Sequence, residues 1–147
     1  MKKRGLGNKG FTIGELVVVF VIVLVIAVLM LPVIQYSSRK MDRTMCANNL
    51  RQTGLALYIY AKEHGGKFPP VLKTLYDEHY LADRRLMDCP ASKSIGTPES
   101  PDYIYTAGLS VKDPSLTILV RDKAKNHPSE GKNVLCVNGA VVWKKGE

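Results

Sequence analysis

Glu15 is the side chain whose position most demands a chemical reason. It stands five residues after Gly10, at the mouth of nineteen uncharged apolar residues, Leu16 to Ile34. An acidic group at mid-bilayer costs roughly 2.5–3.5 kcal/mol on translocon scales, and less near the interface. Such a group is expected to meet a positive partner, because pairing offsets most of the penalty of an isolated charge in a low-dielectric place. The remaining reactive side chains are dispersed. Cys46, Cys89 and Cys136 form an odd set, so at least one is unpaired in an oxidising compartment. Cys46 and Cys89 are the disulfide candidates, one on a helix and one on a loop able to cross it. Their bridge would close about 44 residues and contribute about 4 kcal/mol in the chain-entropy model, but spacing alone does not supply the geometry. No C-x-x-C, P-loop, G-x-S-x-G or H-E-x-x-H segment occurs, and no Ser/His/Asp or Cys/His order suggests catalysis. An enzyme is therefore not expected.

The element that positions Glu15 is the apolar run itself. At 1.5 Å per residue it spans about 28 Å, close to the ~30 Å thickness of a hydrocarbon core. The ten residues before Phe11 carry Lys2, Lys3, Arg4 and Lys9 and no acid. The run is longer than the roughly 7–15 residues of a secretory signal, and no small-residue cleavage pattern follows it. A buried core helix needs a polar face, and this run has none. A plain membrane anchor fits the length but leaves Glu15 without a role. Arg39, Lys40, Arg43 and Arg51 follow the span, so the positive charges on its two sides nearly balance and do not set its orientation. Pro32 either kinks the helix or ends the membrane segment.

Beyond the membrane run the helix is expected to continue to about His64 and to become amphipathic. Cys46, Leu50, Thr53, Leu57 and Tyr60 make one stripe, bordered by Ala47, Gly54 and Ala61. Gly65-Gly66 and Phe68-Pro69-Pro70 end it. A short helix is expected within Val71–Tyr80, a loop over 88–101, and strands at Tyr103–Thr106 and Thr117–Val120. Asn138-Gly139 predicts a type I′ hairpin. In that register Val134 faces Trp143, and Cys136 faces Val141, on the side packed against the helix, while Leu135 pairs with Val142 and Asn133 with Lys144 on the other. The chain carries a formal charge of +8, but four of its positive charges lie in the leader. With no Arg/Lys stripe interleaved with aromatics, a nucleic-acid partner is not expected.

The segment Gly10-Phe11-Thr12-Ile13-Gly14-Glu15, followed by a Val/Ile/Leu run, resembles the N-terminus of type IV pilins and of the pseudopilins of type II protein secretion. The family pattern is a short basic leader, Gly before the cut, Phe or Met after it, and Glu fifth in the mature chain. Gly14 departs from the large aliphatic residue usual there. The resemblance implies cleavage between Gly10 and Phe11 by a prepilin peptidase, N-methylation of Phe11, and pairing of Glu15 with the Phe11 amine of its own or a neighbouring subunit during assembly. Pilin-like helices often carry a proline at the depth of Pro32, which adds weight to a kink there. The stretch Cys46-Ala47-Asn48-Asn49-Leu50-Arg51-Gln52-Thr53-Gly54, with Phe68-Pro69 and Cys89-Pro90, is similar to a major-pseudopilin-like branch. Relatives in that branch end in a comparable hairpin, but Cys136, Asn138 and Ala140 replace its aromatic, Asp and His, so a site built on that Asp and His is not implied here. Related major pseudopilins bind calcium in this region, which makes Asp122, His127, Glu130 and Asn133 candidates. They do not form the closely spaced carboxylate set that six to eight oxygen ligands require. No metal or other cofactor is therefore assigned.

The expected fold is α+β and pilin-like: one long N-terminal helix packed on a small antiparallel sheet. Residues 1–10 are the leader, 11–34 the transmembrane and assembly helix, and 35–147 a periplasmic domain, with loops over 65–101 and the sheet over 102–147. The expected role is structural, as a filament subunit, with type II secretion favoured over a true pilus. The expected location is the inner membrane, crossed once, with the leader cytoplasmic and the C-terminal domain periplasmic. Its expected partners are the prepilin peptidase, identical or related pilin subunits, inner-membrane components of the secretion system, and lipid. The alternative is a membrane-anchored periplasmic binding domain that never polymerises and uses Tyr58, Tyr60, Tyr76, Tyr80, Tyr103 and Tyr105 as a ligand surface.

Overall fold

A computed structural model describes residues 12–128 and 130–146. One helix, α1, runs without interruption over Ile13–Glu63 and carries Pro32 inside it. The boundary between two compact units falls within it, between Ser38 and Arg39.

In the first unit the start of α1 is set by a reciprocal cap. The Glu15 backbone N–H donates to Thr12 Oγ1 at 3.3 Å, and the Thr12 backbone N–H donates back to Glu15 Oε2 at 2.8 Å. This is a capping box, in which a residue three positions into the helix satisfies the N–H of the cap. After it, none of the large apolar side chains between Leu16 and Ile34 is less than 49 % exposed. The helix is long and apolar enough there to cross a membrane.

In the second unit α1 carries a buried stripe: Cys46, Leu50, Thr53, Gly54, Ala56, Leu57, Tyr60 and Ala61. Gly54 admits Leu135 of the sheet, whose Cδ1 lies 3.1 Å from where a Cβ would stand. The helix ends in a Schellman arrangement. Gly65 adopts φ +64°, and the Gly66 N–H reaches back to the Ala61 carbonyl at 2.7 Å. The expected helix within Val71–Tyr80 shrinks to α2, Thr74–Asp77, with Leu72 and Leu75 buried. A short 3-10 turn, Arg84–Met87, is capped by the Asp83 side chain.

The sheet is an antiparallel meander of β1 (Tyr103–Tyr105), β2 (Ile118–Asp122), β3 (Gly131–Cys136) and β4 (Val141–Lys145), in that spatial order. The β3–β4 hairpin exists, but its register corrects the sequence expectation by one residue. Asn133 pairs with Trp143, Val134 with Val142 and Leu135 with Val141. The Cys136 N–H donates to the Ala140 carbonyl at 2.9 Å, and Gly139 takes φ +81°, whereas Asn138 does not enter the positive-φ region. That is a three-residue loop with glycine in the left-handed position, not the two-residue type I′ turn, which needs φ > 0 at both central residues. A one-residue slip turns a strand over. Trp143 and Val141 keep the predicted side, but the β3 residues beside them are Asn133 and Leu135. Leu135 therefore enters the core with Leu119, Val120 and Val137, while Val134 and Cys136 lie outside that cluster.

Candidate functional site

Two places carry the chemistry singled out by sequence, one in each unit. The first is the start of α1. Gly10 and Phe11, the residues of the expected cleavage, lie outside the described residues. Glu15 receives both the Thr12 backbone N–H and the Thr12 hydroxyl on the same oxygen, Oε2, the latter at 3.0 Å. The T-x-x-E spacing that specifies this cap was readable in the sequence, and it gives Glu15 a local duty besides any pairing with an amine. Pro32 stands inside the continuous helix at the depth where a kink was expected.

The second place lies in the unit that begins at Arg39. Four buried side chains from four different elements bring their ligand atoms within 4.8 Å of one another: Cys46, Cys89, Asp122 and His127. Cys46 comes from the buried stripe of α1. Cys89 comes from the loop after the 3-10 turn, which Asn49 fastens to α1 by donating Nδ2 to the Asp88 carbonyl at 2.9 Å. Cys46 and Cys89 are joined as a disulfide, with Cα atoms 5.3 Å apart. Asp122 closes β2, and His127 stands in the β2–β3 connection. The Nε2 atom of His127 is 3.5 Å from Cys89 Sγ and 3.5 Å from Asp122 Oδ2. One nitrogen thus faces both the sulfur and the carboxylate.

The carboxylate is held rigidly. Asp122 Oδ2 accepts the Asn133 backbone N–H at 2.7 Å and its side-chain amide at 3.0 Å. Asn133 Nδ2 also donates to the Arg43 carbonyl on α1 at 3.2 Å. Asp122 Oδ1 is buried with no hydrogen-bond partner among the described residues. Burial pushes the Asp122 carboxyl upward from the ordinary carboxylate value, opposed by the Asn133 N–H, the His127 ring and the Asn133 side chain in that order. Trp143 meets the His127 ring edge-on at 5.5 Å, and the Arg43 guanidinium lies 3.8 Å over the Trp143 ring. The corrected register of β3 makes this possible: Asn133 and Trp143 share the helix side.

Of the calcium candidates, Asp122, His127 and Asn133 come together, whereas Glu130 forms a largely exposed ion pair with Arg39 at 3.7 Å. Cys136 is buried and unpaired, opposite Ile118 of β2. The tyrosines do not line one common cleft: Tyr58 lines one, while Tyr76 and the pair Tyr103/Tyr105 line two adjoining ones that share Lys73, Pro98 and Glu99. Tyr60 is buried and packs on His64 and Tyr80.

The architecture is α+β, a long apolar N-terminal helix whose outer part packs on a four-stranded antiparallel sheet, an arrangement like that of a pilin. No family model, no curated protein and no solved structure matches the chain.

Proposed function

We propose that the chain is a structural subunit of a type IV pilin-like filament, a pseudopilin of a type II protein secretion system, cleaved after Gly10 by a prepilin peptidase and N-methylated at Phe11. The observation that carries the reading is the exposed apolar face of α1 between Leu16 and Ile34, which begins at Glu15. At about 25 cal/mol per Å² of apolar surface, a helix apolar on every side must be covered by lipid or by other apolar helices. In the inner membrane lipid covers it; in a filament the equivalent helices of neighbouring subunits do. Cleavage supplies a free amine one helical turn from Glu15. Thr12 occupies Oε2, and in this reading Oε1 receives the amine, first of the same chain and then of a neighbour. That exchange sets the register of one subunit on the next. The domain over 35–147 is periplasmic, with the secretion system's inner-membrane components as partners at the base of the fibre.

Mass spectrometry of the protein purified from membranes tests the processing. The expected first residue is methylated Phe11, and a chain still beginning at Met1 would favour the non-polymerising anchor. Glu15→Val should leave insertion and cleavage intact but abolish filament growth; normal filaments from this variant would remove Glu15 from assembly.

A further inference from the structure

We infer that Cys46, Cys89, His127 and Asp122 form a tetrahedral site for a thiophilic divalent cation such as zinc when the two cysteines are reduced, so that disulfide and ion are alternative clasps of one crossing. The donor set is two sulfurs, one imidazole nitrogen and one carboxylate oxygen, all buried and mutually within 4.8 Å. Hard cations such as calcium prefer oxygen cages, whereas sulfur and imidazole select zinc. The spacing fits the ion. Bonds of about 2.3 Å to sulfur and about 2.0–2.2 Å to nitrogen and oxygen place the nitrogen about 3.3–3.6 Å from its oxygen and sulfur neighbours and the two sulfurs about 3.8 Å apart. His127 Nε2 is 3.5 Å from Cys89 Sγ, within that range, and 3.5 Å from Oδ2 of Asp122, the oxygen that Asn133 holds, which leaves Oδ1 of the same carboxylate as the oxygen for the ion. The two bonded sulfurs must move apart to hold an ion between them, and breaking their bond allows it.

Two further observations point to a ligand. Asp122 is fully buried, yet its Oδ1 has no partner among the described residues, while Asn133 clamps Oδ2 from two sides. Outer-sphere hydrogen bonds of that kind orient a ligating carboxylate. A surface cleft lined by Arg39, Asp42, Ala91, Asn126 and Glu130 also reaches His127, which gives an ion a path inward.

The chemistry balances with a phosphine as reductant. The S–S bond breaks, the phosphine is oxidised to its oxide with oxygen from water, and each sulfur takes one hydrogen. Each thiol then releases its proton to solvent as its sulfur bonds the ion, while His127 and Asp122 contribute lone pairs.

The test uses the full chain in detergent, oxidised or reduced with a water-soluble phosphine without oxygen, then given zinc or cobalt(II) and desalted. The expected result is about one zinc per reduced chain and none retained by the oxidised chain. Cobalt should give intense visible bands of tetrahedral geometry together with thiolate charge transfer. His127→Gln should weaken zinc binding at least about tenfold and alter the cobalt spectrum, with a cooperative urea transition followed by far-ultraviolet circular dichroism confirming that the variant is folded. Should Cys46→Ser/Cys89→Ser fail to fold, His127→Gln and Asp122→Asn carry the comparison. The proposal is overturned if the reduced chain retains no more zinc than the oxidised one. It is also overturned if folded His127→Gln binds zinc as tightly as the unaltered chain, with the same cobalt spectrum.

Discussion

Reducing the Cys46–Cys89 bridge, with a chelator present to exclude metal, should cost the domain a large share of its stability. The two half-cystines are separated by 43 residues. In the chain-entropy account a closure of that length restricts the unfolded chain by about 4 kcal/mol at 25 °C. Native domains are stable by only about 5–15 kcal/mol, so this is a quarter or more of the total. The native contacts around the bridge oppose its loss only weakly. Asn49 still ties the Cys89 loop to α1 through the Asp88 carbonyl, and Tyr103 donates its hydroxyl to that carbonyl at 3.1 Å. Single hydrogen bonds are worth about 1 kcal/mol net, less than the entropy released. Urea unfolding reports the difference through Trp143, the only tryptophan of the chain, which is wedged between Arg43 and His127. With a denaturant slope of about 1.5 kcal/mol per molar, the reduced midpoint should fall by about 2.7 M. Midpoints that agree within about 0.5 M would show that the bridge does not restrain the unfolded chain, and the entropic argument would fail.

The other predictions concern register and pH. Leu135→Ala should destabilise by about 2–5 kcal/mol, because Leu135 is fully buried against Gly54. Val142→Thr, on the opposite face and 45 % exposed, should change stability by less than about 0.5 kcal/mol. Urea midpoints of the two variants check this, and equal losses would argue against the three-residue hairpin loop. Tyr76 is pushed up to about 12 by burial, then by the nearby Asp83 charge, and Tyr80 to about 12 by its hydrogen bond to Glu63. Each folded-state value lies above the ordinary tyrosine value of 10.0, so between these values the unfolded chain has already released protons that the folded chain keeps. Stability is therefore complete below that ordinary value and should fall as pH rises toward the folded one. Ultraviolet titration of the tyrosinates, native against urea-unfolded, checks the direction.

The sequence by itself determined the local features, because each follows from a period or a short-range signal. The apolar run sets a membrane-length helix by length and lack of charge. The stripe from Cys46 to Tyr60 repeats at three and four residues, which only a helix brings to one side, and all five members are buried. Gly65-Gly66 stops that helix because the left-handed turn suits glycine. Even the Thr12–Glu15 cap was written in two residues three positions apart. Only the tertiary structure decided what depended on distance in space. Val134-Leu135-Cys136-Val137 is apolar at every position, so neither face of β3 is marked and a one-residue slip carries no penalty in the pattern. The loop type decided it, through the conformation of Asn138, which the dipeptide Asn-Gly leaves open. The cluster of Cys46, Cys89, Asp122 and His127 is assembled from a helix, a loop, a strand end and a second loop. No spacing rule covers ligands that far apart along a chain. They meet because the loop carrying Cys89 is fastened to α1 and because β3 turns Asn133, not Val134, toward the helix to hold Asp122 in place.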